Sequence, residues 1–166
     1  HRIPVTSLTA FVGKNDAGKS SVFDAMAVFF DHALGKVDST DVCVHAGDEC
    51  ELRIGCVFED FPDELVLDAT SRTSLANEFL LNADGLLEIH KVFAYADGNL
   101  KKPKVYAIAR HPSSDGYGDL LSKKNADLKR LAANLDVPEE VDRRSNTALR
   151  KAIWDQCEDL ELARAE

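Results

Sequence analysis

Residues 11–21 read Phe11-Val12-Gly13-Lys14-Asn15-Asp16-Ala17-Gly18-Lys19-Ser20-Ser21, and the change of pattern across them decides the fold. Upstream, Ser7 to Val12 is a short apolar stretch ending at Gly13, as a buried strand running into a turn does. Downstream, Val22, Phe23, Met26, Phe29 and Phe30 recur at spacings of three and four. Ala25 and Ala27 favour helix there, and Gly35 after Leu34 supplies a stop. The order is strand, glycine loop, helix.

Gly13 to Ser20 satisfies G-x-x-x-x-G-K-[ST], the Walker A phosphate-binding pattern. Its glycines let the backbone curl so that N–H groups point at a phosphate, and the helix start adds partial positive charge. The pattern predicts that Gly13, Asn15, Asp16, Ala17 and Gly18 form the cradle for a nucleoside triphosphate. Lys19 reaches the β- and γ-phosphates and is the catalytic candidate. Ser20 ligates Mg²⁺ through its hydroxyl, and Ser21 helps to hold the α-phosphate. The Asp16 side chain is expected to point outward, since inward it would repel the nucleotide.

Beyond the first helix, Glu51 to Glu59 alternates Leu52, Ile54, Cys56 and Phe58 on one face, the mark of a half-buried strand. Leu65 to Ala69, Glu78 to Leu81, Leu86 to Ala96 and Lys104 to Ala109 read as further strands of an antiparallel meander. Turn chemistry separates them at Asn82-Ala83-Asp84-Gly85 and Asp97-Gly98-Asn99. After the loop from His111 to Gly118, the leucines 120, 121, 128, 131 and 135 predict a helix interrupted near Asn125 and closed by Pro138. Ser145 to Glu166 reads as a last helix, with Leu149, Ile153, Cys157 and Leu160 at helical spacing. The organisation is thus a lobe over residues 1–110 and a helical segment over 111–166, the latter a candidate for the start of a helical insertion or arm.

The formal charge is −9, with acids in excess over the first 99 residues and Lys and Arg in excess from 100 to 151. The basic set is Lys123, Lys124, Lys129, Arg130, Arg143, Arg144, Arg150 and Lys151, which reads foremost as a solvated helical surface and secondarily as a DNA or partner contact. No apolar run approaches the roughly 20 residues of a membrane span, so no membrane role is expected and a cytoplasmic location is. Cys43, Cys50, Cys56 and Cys157 lack metal or redox spacing and read as free thiols. His45, His90 and His111 fall in different elements and read as structural or exposed, and Trp154 as a core or interface anchor.

Gly13, Asn15, Ala17, Gly18, Lys19 and Ser20 in the form G-x-N-x-[SA]-G-K-S resemble the ATPase heads of the SMC, RecF and OLD families, relatives of ABC ATPases. The helix run "SSVFDAMAVFF", with Asp24, is similar to the one that follows the loop in those heads. The stretch from Pro62 to Phe93 resembles the antiparallel β-layer of OLD-like, defence-associated ATPases. The resemblance implies an α/β P-loop NTPase core, an ABC/SMC-like N-terminal lobe with an antiparallel β-layer and C-terminal helices. It also implies ATP held between two heads of a homodimer, hydrolysis with Mg²⁺, and service in DNA processing or anti-phage defence with DNA or a nuclease as partner.

Several pieces of that pattern are missing. The sole glutamine is Gln156, in the last helix rather than in a Q-loop, and no LSGG-type signature appears. Leu65-Val66-Leu67-Asp68 is the nearest imitation of a Walker B strand, but Ala69 follows and Asp68 reads as a strand-end carboxylate. The chain is therefore expected to be part of a longer protein, hydrolysing ATP slowly by itself. A non-hydrolysing nucleotide-binding module and a small P-loop kinase are the alternatives, the kinase disfavoured by the turn-linked β run.

Overall fold

The computed structural model describes residues 2–68, 71–112, 116–135, 137–157 and 160–165. Helix α1 spans Lys19–Phe29, beginning where the glycine loop predicts. Ser7 to Val12 is irregular rather than a strand, with Leu8 89% and Val12 94% exposed. A strand exists through its ladder, and no described strand lies beside this stretch to complete one.

The helix also stops earlier than Gly35. Asp31 takes the left-handed conformation at φ 54, donates its N–H to the Val28 carbonyl at 3.3 Å, and is followed by His32 donating to Ala27 at 2.8 Å. These two bonds are the Schellman closure, with an aspartate where glycine is usual. Gly35 serves instead as the point where the returning chain touches the helix backbone.

Strands β1 (Cys50–Phe58), β2 (Leu65–Asp68) and β3 (Ser71–Thr73) follow, then β4 (Leu87–Ala96), β5 (Asn99–Leu100) and β6 (Lys104–Pro112). Helices α2 (Asn125–Asn134) and α3 (Asn146–Trp154) precede β7 (Leu160–Ala165). The main sheet runs β1-β4-β6-β7, with β5 hairpinned onto β4, and every pairing is antiparallel. The β4–β5 turn carries Asp97 and Gly98 at positive φ, the primed hairpin turn its sequence predicts. Register pairs Leu52 with Phe93, Ile54 with Lys91 and Cys56 with Ile89, and opposed residues share a face. That face meets α1, where the rings of Phe29 and Phe58 lie 6.3 Å apart.

A second cluster fills the space between α2 and α3: Leu120, Leu128, Ala132, Val137, Leu149, Ile153 and Trp154, all nearly inaccessible. A 3₁₀ turn over Leu120–Ser122 precedes α2, so the expected interruption falls just before Asn125. Trp154 is a core anchor, its Nε1 donating to the Tyr117 carbonyl at 2.9 Å.

Three further expectations are corrected. Residues 78–81 form no strand; Glu78 lies in a turn closed by its N–H to Ser74 (3.1 Å) and by Leu80 to Leu75 (2.9 Å). The last helix does not run to the end of the chain. Ser145 caps α3 by accepting from the Ala148 N–H, the helix ends at Trp154, and residues 160–165 pair with β6. Leu160, Leu162 and Arg164 also alternate at period two, and the open edge of β6 selects that reading over the helical one. Arg150 does not join a solvated basic surface: it is 3% exposed and bonded to Glu78.

Candidate phosphate-binding site

Gly18 occupies the N-cap of α1 at φ 78, a conformation that L side chains rarely adopt, so glycine is required at this point of the loop. It offers no side-chain cap, and the first turn contains no acidic residue. The helix-start N–H groups at Lys19, Ser20 and Ser21 are therefore left as donors, with the positive end of the peptide dipoles behind them. Within the loop, Ala17 donates to the Lys14 carbonyl at 3.3 Å, and Val22 to Gly18 at 3.3 Å begins the helix ladder.

The Lys19 ammonium folds back into this curl, donating to the carbonyls of Gly13 (2.9 Å) and Lys14 (2.6 Å). An ammonium has three donors, so one remains for a ligand. Gly13, Asn15, Asp16, Ala17, Gly18, Ser20 and Ser21 are all exposed, and Lys19 is half-buried. Asp16 adopts φ 65, which aspartate tolerates better than most residues. Phe11 packs edge-on against Phe23 at 5.2 Å and ties the loop's entry to its helix.

These groups fit an anionic triphosphate. Donors converge at one helix start, one cation sits within reach, and no carboxylate stands in the first turn to oppose it. Ser20 offers a hydroxyl for a metal that arrives with the phosphates. Among the described residues no group of three His, Cys, Asp or Glu could hold a metal by itself.

The other candidates lie apart. The strand that Asp68 closes belongs to a separate two-stranded sheet, β2 with β3. Gln156 is exposed just beyond α3. His45 is exposed, His90 bonds Glu88 at 2.9 Å, and His111 is buried with Nδ1 on the Phe79 carbonyl at 2.9 Å. The four cysteines are free, and burial pushes the Cys56 thiol up, which disfavours a thiolate ligand. A concavity of about 290 Å³ on the sheet, lined by Tyr106, Gly118, Asp119, Ser122 and Arg164, does not include the loop. Its charges are already matched, Arg164 by Glu51 and Asp119 by Lys123. The donor geometry at α1 therefore outweighs it as a functional candidate.

Sequence reasoning missed Lys91, whose ammonium reaches the far end of α1. The signal was present: Lys91 falls on the apolar phase of β4, between Ile89 and Phe93, where a cation has no business unless it is paired.

No described helix is long and apolar enough to cross a membrane. No curated protein and no solved structure matches the chain. A family model described as AAA ATPase domain matches residues 1–166, and the chain belongs to that family of P-loop ATPases.

Proposed function

We propose that residues 13–21 bind the triphosphate of ATP with Mg²⁺, and that the chain is the nucleotide-binding lobe of an SMC/OLD-like ATPase head. The observation that carries this is the uncapped start of α1 behind a left-handed glycine, with the Lys19 ammonium folded inside the same curl. Gly13, Asn15, Ala17 and Gly18 supply backbone curvature and amides. Lys19 exchanges its carbonyl bonds for β- and γ-phosphate oxygens, and Ser20 and Ser21 add hydroxyls. Mg²⁺ supplies charge neutralisation at the bridging oxygens.

Hydrolysis needs a carboxylate near the metal and a residue that orients water. In this reading they come from a Walker B strand in a further part of the head and from the apposed head of a homodimer. The exposed apolar side chains flanking the loop in sequence, Leu8, Val12 and Phe23, support a covered face there. DNA processing or anti-phage defence, with DNA or a nuclease as partner and a cytoplasmic setting, rests on the resemblance of the loop to those families. The lobe at 1–110 and the segment at 111–166 would be its two parts, the second returning β7 to the sheet of the first.

Equilibrium titration of ATP with and without Mg²⁺, with a turnover assay beside it, tests the reading. Lys19→Ala should weaken binding about 10- to 100-fold, the loss of one charge-assisted contact set. Wild type and variant binding alike would sink it. Binding without turnover, unchanged by any added portion of the protein, would select the non-hydrolysing module, which is favoured by the pairing of the Asp68 strand with β3 in a two-stranded sheet rather than in a core sheet beside the loop.

A further inference from the structure

Helix α1 is fully buried at one end only. Its buried residues are Val28 and Phe29, in the last turn, while Lys19 to Ala25 contribute none. Eleven residues make a rod of about 15 Å, so the phosphate-binding end stands that far from the anchored end. Any tilt at the anchor is magnified where Lys19 and Ser20 meet a ligand.

The anchor is polar as well as apolar. Lys91 of β4 is 4% exposed, and its Nζ donates to the Val28 carbonyl at 3.0 Å and to Asp31 Oδ1 at 2.6 Å. The Val28 carbonyl already accepts from the Asp31 N–H and takes the ammonium as a second donor, and a cation there complements the negative end of the peptide dipoles. Asp31 is the residue that closes the helix in the left-handed conformation. Its side chain is 87% exposed, so burial does not hold it in place; the ammonium does. Lys91 itself is fixed in the sheet, opposite Ile54 on one side and Val105 on the other.

We propose that Lys91 and Asp31 form a latch that sets the axial position and tilt of α1, so that the sheet positions the phosphate-binding end of the helix. Lys91 is a positioning residue, acting through α1. The inference rests on the nucleotide reading of the loop. It makes the Lys91–Asp31 contact a control point for affinity, about one helix length from the bound phosphates.

Three variants test it by ATP–Mg²⁺ titration, each paired with thermal melting of the nucleotide-free protein. Asp31→Gly removes the carboxylate while glycine takes the left-handed conformation freely, so folding is preserved. It should weaken ATP binding about 5- to 20-fold with unchanged or higher apo melting, a coupling of ordinary size. Lys91→Met should weaken binding at least as much, and Lys91→Arg should recover part of it. Wild-type affinity in both Asp31→Gly and Lys91→Met overturns the latch and leaves the loop reading standing. So does an affinity loss that only tracks lower apo melting in both. A wild-type chain that does not bind ATP fails the loop reading instead, and the latch with it.

Discussion

At Gly35 an added Cβ would stand 2.4 Å from the Ala27 carbonyl carbon, 2.5 Å from the Val28 nitrogen and 2.6 Å from the Ala27 oxygen. Those are backbone atoms of the α1 last turn, which cannot swing aside as a side-chain tip does. Gly35→Ala must therefore lift the returning chain off the helix and strain the closure at Asp31, at a cost of about 1–3 kcal/mol. Urea denaturation should show this as a lower midpoint at unchanged slope, and a midpoint equal to wild type would refute the close approach. At this scale the sequence was legible where a residue type is chemically forced. Gly18 is marked by its spacing and takes the left-handed N-cap of α1, whereas nothing local marks Asp31 for the left-handed region. Gly35 was read as a helix stop, yet its requirement is contact rather than conformation.

Among the elements, the turn over residues 74–80 and helix α3 are joined by one ion pair out of reach of water. Arg150 Nε donates to Glu78 Oε2 at 2.8 Å and Nη2 to Oε1 at 2.9 Å, with the side chains 3% and 1% exposed. Such a bidentate pair is costly to break from one side, because the partner is left charged and dry. Glu78→Ala should destabilise the fold by about 3–5 kcal/mol, while Glu78→Leu combined with Arg150→Met should recover most of that loss. Chemical denaturation of the two variants decides it, and equal losses would remove the argument. Element reading from sequence succeeded for β1, β4 and β6, where alternation or a primed turn left one choice. It failed for 78–81, a short apolar run behind Glu78, and for 160–165, whose pattern fits helix and strand alike. Their state is set by what they meet: Arg150 for the first, the edge of β6 for the second.

On the scale of the whole molecule, β1 and β7 are the outer strands of the β1-β4-β6-β7 path, yet one ion pair joins them. Arg164 donates to both Glu51 oxygens, at 2.9 and 2.7 Å, and lies 5.4 Å over the Tyr106 ring. Three strand spacings are about 14 Å, so the two long side chains reach across the face of the sheet to meet. Hydrogen bonds from Arg164 first and Arg53 second hold the Glu51 carboxyl down at about 2, against an ordinary 4.5. The sign follows from linkage. A folded-state value below the unfolded one means that the unfolded chain binds the proton more readily as acid is added. Glu51 therefore contributes its full stabilisation above about pH 4.5, and that contribution fades as pH falls through the window down to about 2. Both partners are solvent-facing, so salt should shrink the effect. Glu51→Gln should accordingly be less stable than wild type at pH 6 in low salt. The two should converge as the pH approaches 2, and 1 M NaCl should narrow the gap at pH 6. Parallel denaturation curves across pH 2–7 measure it directly. A stability difference that stays constant over that range would show that the outer strands are held together without the charge of this carboxylate.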